Sequence, residues 1–537
     1  MLRPPTLAPC SLLLLLVAAC SDEPEDIIAA GAGAAAPAPA ESAIQIGPST
    51  GLELRPEHGI LRGHALAGGV REFLGIAYAV RPTGALRWAP PQLTAANAPC
   101  DAASLSARCP QASNHGADVP GESEDCVYLN VWAPASAERA PVMVWIHGGG
   151  NRDGTASELG TSGALLAARY GVVVVTLNYR LGVLGFFAHP ELRAEGGSTG
   201  NQGLWDQQHA LAWVQHNIAA FGGDPGRVTI FGESAGSTDV CLHMAAPPSR
   251  GLFARAISES GGCTTRRTSA QEGERYALKL AERLGCTAAP ALDCLRGKSV
   301  TEVFRAADAL SAEGVVFGPI VDGKFMPEQP RALYDKNAIA QVPYILGSNT
   351  DEGTGFTIND TGITNDMQYL EVLGQRLTAD PAQVAALYPV SDFARAKNPY
   401  QAALARAWGD GRLVCGTLDV AVRAAKAGLP VFMYNFDMPL DGDEGVWGAA
   451  HAAEIGYVFG TLPFSPAQAA VSERMQQYWA QFADQGDPNT GALESWPRFS
   501  PERDVRVNFG VTTTVLEDFR ARECAFWREQ YDRAFER

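Results

Sequence analysis

Short apolar runs alternate with segments of helical periodicity over much of the chain. Residues 141–146 and 171–177 are apolar runs without polar alternation, and residues 162–170, between them, have a helical pattern. Uninterrupted apolar runs are typical of strands buried on both faces of a sheet. The order strand, helix, strand therefore predicts a parallel sheet with crossover helices.

The same order continues along the chain. Residues 204–218 have helical spacing, the apolar strand 228–231 follows, and residues 342–347 and 431–436 predict two more strands. We therefore predict an α/β fold with a central, mostly parallel twisted sheet and helices on both faces.

Long helical stretches interrupt this order. Residues from about 264 to 315 and from about 356 to 407 are predicted as helical insertions over the active site.

Length alone suggests about three domains. Because the motifs described below are interleaved along the chain, we expect a single domain over residues 51–537 instead.

Composition narrows the class of protein. The 537 residues are 46% hydrophobic and 19% charged, which is ordinary for a globular protein with a large core. The net charge of −17 leaves no basic surface for phosphate, so we expect no nucleic-acid partner.

The first 48 residues predict export. Arg3 precedes the apolar run 12–17, and two alanines then lead to Cys20, which is typical of a signal peptide over residues 1–20. The pattern resembles a bacterial lipoprotein signal, which implies a lipid anchor on Cys20, and Ser21 hints at the outer membrane. The alternative is an ordinary signal peptide with an incidental cysteine. Residues 21–48, rich in Ala and Pro, are predicted to form a flexible tether.

The strand at 228–231 leads directly into Gly232-Glu233-Ser234-Ala235-Gly236. This is the pattern of a nucleophile elbow, in which small neighbours permit a sharp strand-to-helix turn that exposes the serine. Such a pentapeptide also occurs as an ordinary flexible turn. Catalysis at Ser234 therefore requires a base, an orienting acid and an oxyanion hole elsewhere in the chain.

A glycine run follows the predicted strand 141–146. His147 is followed by Gly148, Gly149 and Gly150, and the absence of side chains permits backbone N–H groups to approach a developing oxyanion. We predict the amides of Gly149, Gly150 and Ala235 as the oxyanion-hole donors. The alternative is a flexible loop.

Chain order narrows the candidates for the acid to two residues and identifies the base. Asp351 and Glu352 come directly after the predicted strand 342–347, and either carboxylate could orient an imidazole. Only His243 and His451 lie beyond Ser234, and in an α/β-hydrolase the histidine follows the acid. We therefore predict His451 as the base and a packing or capping role for His243 on the elbow helix.

These motifs together resemble those of type B carboxylesterases, the family that includes cholinesterases and bacterial para-nitrobenzyl esterases. The matching segments are 73–78, 123–131, 147–150, 178–180, 221–236, 351–353, 448–460 and 486–489. They extend over nearly all of residues 51–527, and their order makes the resemblance specific. The resemblance implies the α/β-hydrolase fold and ester hydrolysis without a metal or organic cofactor.

The resemblance also implies roles for particular residues. Glu352 becomes the triad acid, and Glu233 and Ser260 become supporting groups near the nucleophile, although both could equally be structural. Structural ion pairs are implied for Arg87 with Glu124 and for Arg180 with Asp206.

Nine cysteines follow Cys20, and an exported chain permits disulfides. The resemblance implies the pairs Cys109–Cys126, Cys286–Cys294 and Cys415–Cys524. Cys100, Cys241 and Cys263 remain, and the sequence does not decide whether two of them join.

Departures from the family pattern concern the substrate. Asn151 stands where the family usually has an aromatic residue, and Gly116 stands where cholinesterases have the tryptophan that holds quaternary ammonium. Choline esters are therefore disfavoured. The aromatic acyl pocket near Arg267 and Val315 is weaker, although Phe356 could still line the gorge.

The sequence thus predicts an esterase with the triad Ser234, His451 and Glu352 that acts on a small-molecule ester. Short to medium or aromatic esters are expected. The alternatives are a specialised esterase for a toxin, polyester or lipid ester, and a non-catalytic, neuroligin-like binding protein. Neither the natural substrate nor the oligomeric state follows from the sequence.

Overall fold

The strands and helices were located in a computed structural model of the chain. It describes residues 45–46, 53–55, 61–92, 100–114, 121–158, 160–195, 199–439, 447–489 and 493–536. The predicted signal peptide, Cys20 and most of the predicted tether lie outside these residues. Gln45 and Ile46, at the end of that tether, instead form a short strand, because their backbone pairs with residues 54–55.

The strands are β1 (Gln45–Ile46), β2 (Glu53–Arg55), β3 (Leu61–Arg62), β4 (His64–Ala65), β5 (Arg71–Ala77), β6 (Cys100–Asp101), β7 (Tyr128–Ala133), β8 (Ala140–Ile146), β9 (Val173–Leu177), β10 (Gly223–Glu233), β11 (Arg255–Glu259), β12 (Thr268–Ser269), β13 (Ile320–Val321), β14 (Tyr344–Asn349), β15 (Val431–Phe436), β16 (Val505–Phe509) and β17 (Thr513–Glu517).

The α-helices are α1 (Ala164–Tyr170), α2 (Gly182–Gly185), α3 (Pro190–Ala194), α4 (Gln202–Asn217), α5 (Ala235–Ala245), α6 (Ala270–Arg283), α7 (Ala291–Arg296), α8 (Val300–Ser311), α9 (Pro330–Asp335), α10 (Thr354–Thr357), α11 (Asp366–Arg376), α12 (Pro381–Leu387), α13 (Pro399–Gly409), α14 (Cys415–Lys426), α15 (Ile455–Phe459), α16 (Pro466–Gln485) and α17 (Ala521–Glu536).

One large sheet organises these elements. Its strand order is β17-β16-β15-β14-β11-β10-β8-β9-β7-β5-β4. The strands from β16 to β9 are parallel to their neighbours, whereas the outer pairs at both edges are antiparallel. The prediction of a mostly parallel sheet with helices is confirmed.

Both faces of the sheet are covered, which explains the uninterrupted apolar strands. In β8, Val142 and Val144 belong to one buried cluster and Met143 and Trp145 to another. Because successive side chains of a strand point to opposite faces, each face needs its own apolar set. The strand therefore has no polar alternation.

The predicted strand at 342–347 is shifted in the structure. It is β14, which begins at Tyr344 and continues to Asn349, because its pairing with β15 extends as far as Asn349 opposite Phe436. The predicted insertions contain α6 to α8 and α10 to α13.

Four disulfides lie in the described part of the chain. Three are the pairs that the resemblance implied, Cys109–Cys126, Cys286–Cys294 and Cys415–Cys524. The fourth joins Cys241 to Cys263 and so ties α5 to the loop after β11. The sequence left this pairing open because the two residues are brought together only by the packing of the sheet.

The two implied ion pairs are also present. Arg87 Nε lies 2.6 Å from Glu124 Oε1, and Arg180 Nη2 lies 2.7 Å from Asp206 Oδ1. Asp206 also accepts hydrogen bonds from the backbone N and the Nε of Arg180, and its side chain is fully buried. This ion pair fixes the loop after β9 to α4.

We predict that Asp206→Ala lowers the free energy of unfolding by about 3–5 kcal/mol, because it leaves the Arg180 guanidinium buried without its anion. Urea denaturation would measure the loss. The control is Glu517→Ala at the Arg503–Glu517 pair, whose side chains are 65% and 62% exposed and whose removal should not measurably change the curve. Equal curves for the two variants would contradict the prediction.

Candidate active site

Ser234 lies at a sharp turn between β10 and α5. Its backbone has φ 55° and ψ −117°, a conformation that is strained for a residue with a Cβ. The neighbouring glycines permit the turn, because a Cβ on Gly232 or Gly236 would lie 2.5 or 2.0 Å from the Ile146 carbonyl oxygen. The backbone N–H of Ser234 donates to the Glu259 carbonyl, which fixes the turn against β11.

The glycine run after β8 lies against this turn. A Cβ built on Gly148 would lie 3.2 Å from Ser234 Cβ, and Gly149 and Gly150 have φ values of 94° and 67°, which favour glycine. The N–H groups of Gly149, Gly150 and Ala235 donate to no described residue. Three backbone donors beside the serine are therefore available to a substrate oxygen.

Ser234, Gly150 and Ala235 line one cavity of about 330 Å³. Asn151 and Thr238 also line it, and Val316 and Leu413 add apolar surface. Val315, expected near the acyl pocket, is buried elsewhere, and its neighbour Val316 lines the cavity instead. That loop lies in an insertion with no regular pattern to fix which residue faces inward.

His451 contacts Glu352. Its Nδ1 lies 2.6 Å from Glu352 Oε2, and Glu352 Oε1 accepts a hydrogen bond from the backbone N of Asn349, at the end of β14. Asp351 points elsewhere, since its carboxylate accepts hydrogen bonds from Arg406 and from the backbone N of Ala449. The contacts thus show that Glu352, and not Asp351, lies against His451, a choice that the chemistry of the two side chains left open.

Glu233 lies against the other nitrogen of the imidazole. His451 Nε2 is 3.1 Å from Glu233 Oε1, and both side chains are almost fully buried. Burial lowers the pKa of His451, but the carboxylates of Glu233 and Glu352 outweigh this effect and raise it to about 10. Burial raises the pKa of Glu233 to about 8, against the opposing effect of the His451 cation. The two groups therefore compete for a proton.

Glu454 is a further buried acid that the sequence analysis did not single out. Ser260 Oγ donates to Glu454 Oε1 over 3.2 Å, and Asn349 Nδ2 donates to Glu454 Oε2 over 2.5 Å. Burial, followed by the charge of Glu352, raises the pKa of Glu454 to about 7. Ser260 thus acts on Glu454 and not directly on the histidine. The feature of the sequence that could have identified Glu454 is its position, a glutamate among small residues three positions after His451.

Two further contacts shape the site. Phe356 lies 5.1 Å from the His451 ring and stacks on Trp408 at 4.1 Å. Asn151 Nδ2 donates to Asp239 Oδ1 over 3.0 Å, which connects the glycine loop to α5. The polar side chain at position 151 therefore has a buried partner.

His243 lies on α5, as predicted, away from these groups. Its ring nitrogens contact Ser249 Oγ at 2.7 Å and Gln207 Oε1 at 2.9 Å, and burial lowers its pKa to about 3. It is therefore a packed, hydrogen-bonded histidine.

Gly116 lies outside the described residues. Within the described residues, no three His, Cys, Asp or Glu side chains are grouped to hold a metal ion.

A serine on a nucleophile elbow, with free backbone donors and a carboxylate-bound histidine nearby, defines the class of α/β-hydrolases. A sequence profile described as "Carboxylesterase family" matches residues 51–527. A cholinesterase of Mus musculus is 35% identical over 519 residues, covering 88% of this chain and 85% of its own. The solved structure of a PNB esterase superposes with a TM-score of 0.78 at 32% identity, covering 89% of this chain and all of the other.

The chain therefore belongs to the carboxylesterase family, and it is a serine carboxylic ester hydrolase.

We predict that kcat/KM for an activated ester falls in acid as His451 is protonated, and that Glu233→Gln moves the midpoint of this fall to lower pH. The amide cannot carry the negative charge that favours the imidazolium, so the pKa of His451 falls. A pH profile of p-nitrophenyl butyrate hydrolysis measures the midpoint, with Glu517→Gln as a control remote from the site. A wild-type rate that is flat from about pH 4 to 9, or an unmoved midpoint in Glu233→Gln, would contradict it.

Proposed function

We propose that the protein hydrolyses esters in two steps through an acyl-enzyme on Ser234, with His451 as general base and Glu352 as the acid that orients it. The observation that carries this proposal is the 2.6 Å contact between His451 Nδ1 and Glu352 Oε2. A carboxylate on Nδ1 fixes the tautomer in which Nε2, which lies 3.1 Å from Glu233 Oε1, accepts the serine proton, and it stabilises the imidazolium that forms.

In the first step, Ser234 Oγ attacks the ester carbonyl carbon and His451 Nε2 takes its proton. The carbonyl oxygen becomes an oxyanion that the N–H groups of Gly149, Gly150 and Ala235 hold, and one such donor is typically worth about 3–4 kcal/mol. The C–O bond to the alcohol then breaks, and His451 protonates the leaving oxygen. Water repeats the sequence on the acyl-enzyme and releases the acid.

Short to medium or aromatic esters are the proposed substrates. The cavity of about 330 Å³ beside Ser234 supports a limited acyl group, and Phe356 with Trp408 offers aromatic surface beside His451. The polar side chain of Asn151 at the cavity supports the view that choline esters are disfavoured. A specialised ester of a toxin, polyester or lipid would use the same chemistry.

The proposed triad predicts a large loss of kcat when Ser234 or Glu352 is replaced and a much smaller loss when the adjacent Asp351 is replaced. Ser234→Ala should lower kcat for p-nitrophenyl butyrate on the order of 10⁶-fold and abolish labelling by an organophosphate. Glu352→Gln should lower kcat about 10⁴-fold, because the imidazole loses its orienting anion. Asp351→Asn is the matched control and should lose far less, since Asp351 binds Arg406 and the backbone of Ala449.

Full activity of Ser234→Ala would refute the nucleophile. A loss in Asp351→Asn as large as that in Glu352→Gln would refute the assignment of the acid.

The protein is further proposed to be exported and held on the cell envelope, by the outer membrane, through lipid on Cys20. The support is the signal pattern of residues 1–20. No helix within the described ranges is long and apolar enough to cross a membrane.

We predict that Cys20→Ser moves the protein from the membrane fraction to a soluble fraction when it is expressed in a bacterium with a lipoprotein pathway. The loss of the acylated thiol removes the anchor, because stable attachment depends on the buried acyl chains. Immunoblots of the fractions measure the shift, with Cys10→Ser as the control. Equal distribution of both variants would contradict the anchor.

A further inference from the structure

The cavity beside Ser234 is the place for the acyl group of a substrate, if the proposed mechanism holds. Gly150 and Ala235 line it together with the serine, so a carbonyl bound by their amides has one substituent inside it. The leaving alcohol must lie near the group that protonates it, and His451 is not among the described residues that line the cavity. The substituent in the cavity is therefore the one that stays on the enzyme.

Arg267 places a cation in the wall of this cavity. Its Nη2 donates to the Gly262 carbonyl over 2.9 Å, whereas its Nε is buried without a partner. It forms no ion pair with any carboxylate of the described residues. A partly buried cation without a contacting anion is unfavourable, and an anionic ligand would relieve the cost.

The charged neighbours of Arg267 are already engaged. Arg266 Nη2 lies 2.9 and 3.0 Å from the two oxygens of Glu272, which neutralise it. Asp239 acts on Arg267 through its charge, but its two oxygens accept hydrogen bonds from Asn151 and Gln207. Arg267 is thus the cation at this cavity that lacks a contacting counterion.

The backbone around Arg267 is fixed on two sides. Gln329 accepts from the Arg267 N–H over 2.9 Å and donates to the Arg267 carbonyl over 2.8 Å. Cys263, four residues earlier, is joined to Cys241 on α5, and Thr268 pairs with Ile320. A guanidinium on a fixed backbone loses less entropy when it binds an anion, which favours recognition.

We propose that the preferred substrates are esters whose acyl chain carries a carboxylate, that is, half-esters of short dicarboxylic acids, with Arg267 binding the free carboxylate. The proposal rests on the proposed function and adds a substrate class to it. In the reaction, the bond between the acyl carbon and the alcohol oxygen breaks, water supplies the hydroxyl group of the new acid and the proton of the alcohol, and no oxidant is required. The products are the free alcohol and the dicarboxylic acid, which ionises at neutral pH.

The first test compares the monoethyl esters of succinic, glutaric and adipic acids with the neutral ethyl butyrate and ethyl valerate, with turnover followed by titration of the released acid. We expect kcat/KM for at least one half-ester to exceed that of the neutral esters. Arg267→Gln should lower the ratio of half-ester to neutral-ester kcat/KM about 10- to 100-fold, the usual range for a charge-assisted hydrogen bond. Arg267→Lys, which keeps the charge, should restore part of that ratio.

Arg266→Gln is the matched control, because its cation is neutralised by Glu272 and its loss should leave the ratio unchanged. A preference for neutral esters in the wild type, or a ratio that Arg267→Gln does not change, would overturn the proposal.

The second test separates this proposal from the proposed function. Calorimetry measures the binding of monoethyl glutarate to Ser234→Ala, in which turnover is removed, and to the double variant with Arg267→Gln. Binding that depends on Arg267 supports the anion site even if the wild type hydrolyses no ester, in which case the proposed function fails. Absence of binding, together with hydrolysis of neutral esters by the wild type, overturns the anion site and leaves the proposed function standing.

Discussion

Parallel strands that end at one edge of the sheet are the constraint on which the candidate site depends. The glycine loop follows β8, Ser234 follows β10, Ser260 follows β11 and Glu352 lies just beyond β14. Parallel pairing requires crossover helices, so each chain segment returns to begin its strand at the same side and leaves at the other. Groups separated by about two hundred residues of chain meet for this reason.

Burial of ionisable groups has an electrostatic cost, and in this site the buried groups are glutamates. Glu233, Glu352 and Glu454 are all buried near one histidine, and burial raises the pKa values of Glu233 and Glu454. In the proposed mechanism, their combined charge favours the imidazolium that would form when Ser234 gives up its proton. The same charges would hinder a return to the neutral base, so the proposed mechanism depends on pH through the number of ionised carboxylates near His451.

The residues that line the substrate cavity come from two different parts of the fold. Its backbone donors come from the glycine loop and α5, parts of the sheet scaffold. Arg267 and Val316 come from loops beyond it, and Leu413 from a helical turn between α13 and α14. Loops on a rigid scaffold can change the side chains of a cavity without disturbing the strands that hold the chemistry. The cation of Arg267 is one such side chain, and, like Asn151 on the glycine loop, it makes the cavity more polar.

The sequence by itself determined the mostly parallel sheet, the elbow at Ser234, the glycine loop and the position of His451 in the order of the motifs. These are local patterns, because a buried strand must be apolar along its length and a tight turn must be built of small residues. The resemblance already implied Glu352 as the partner of His451. Only the tertiary structure decided the other contacts: Asp351 with Arg406, Ser260 with Glu454, Cys241 with Cys263, and Val316 rather than Val315 at the cavity. Contacts of this kind depend on how distant segments pack in three dimensions, and neither periodicity nor spacing along the chain carries that information.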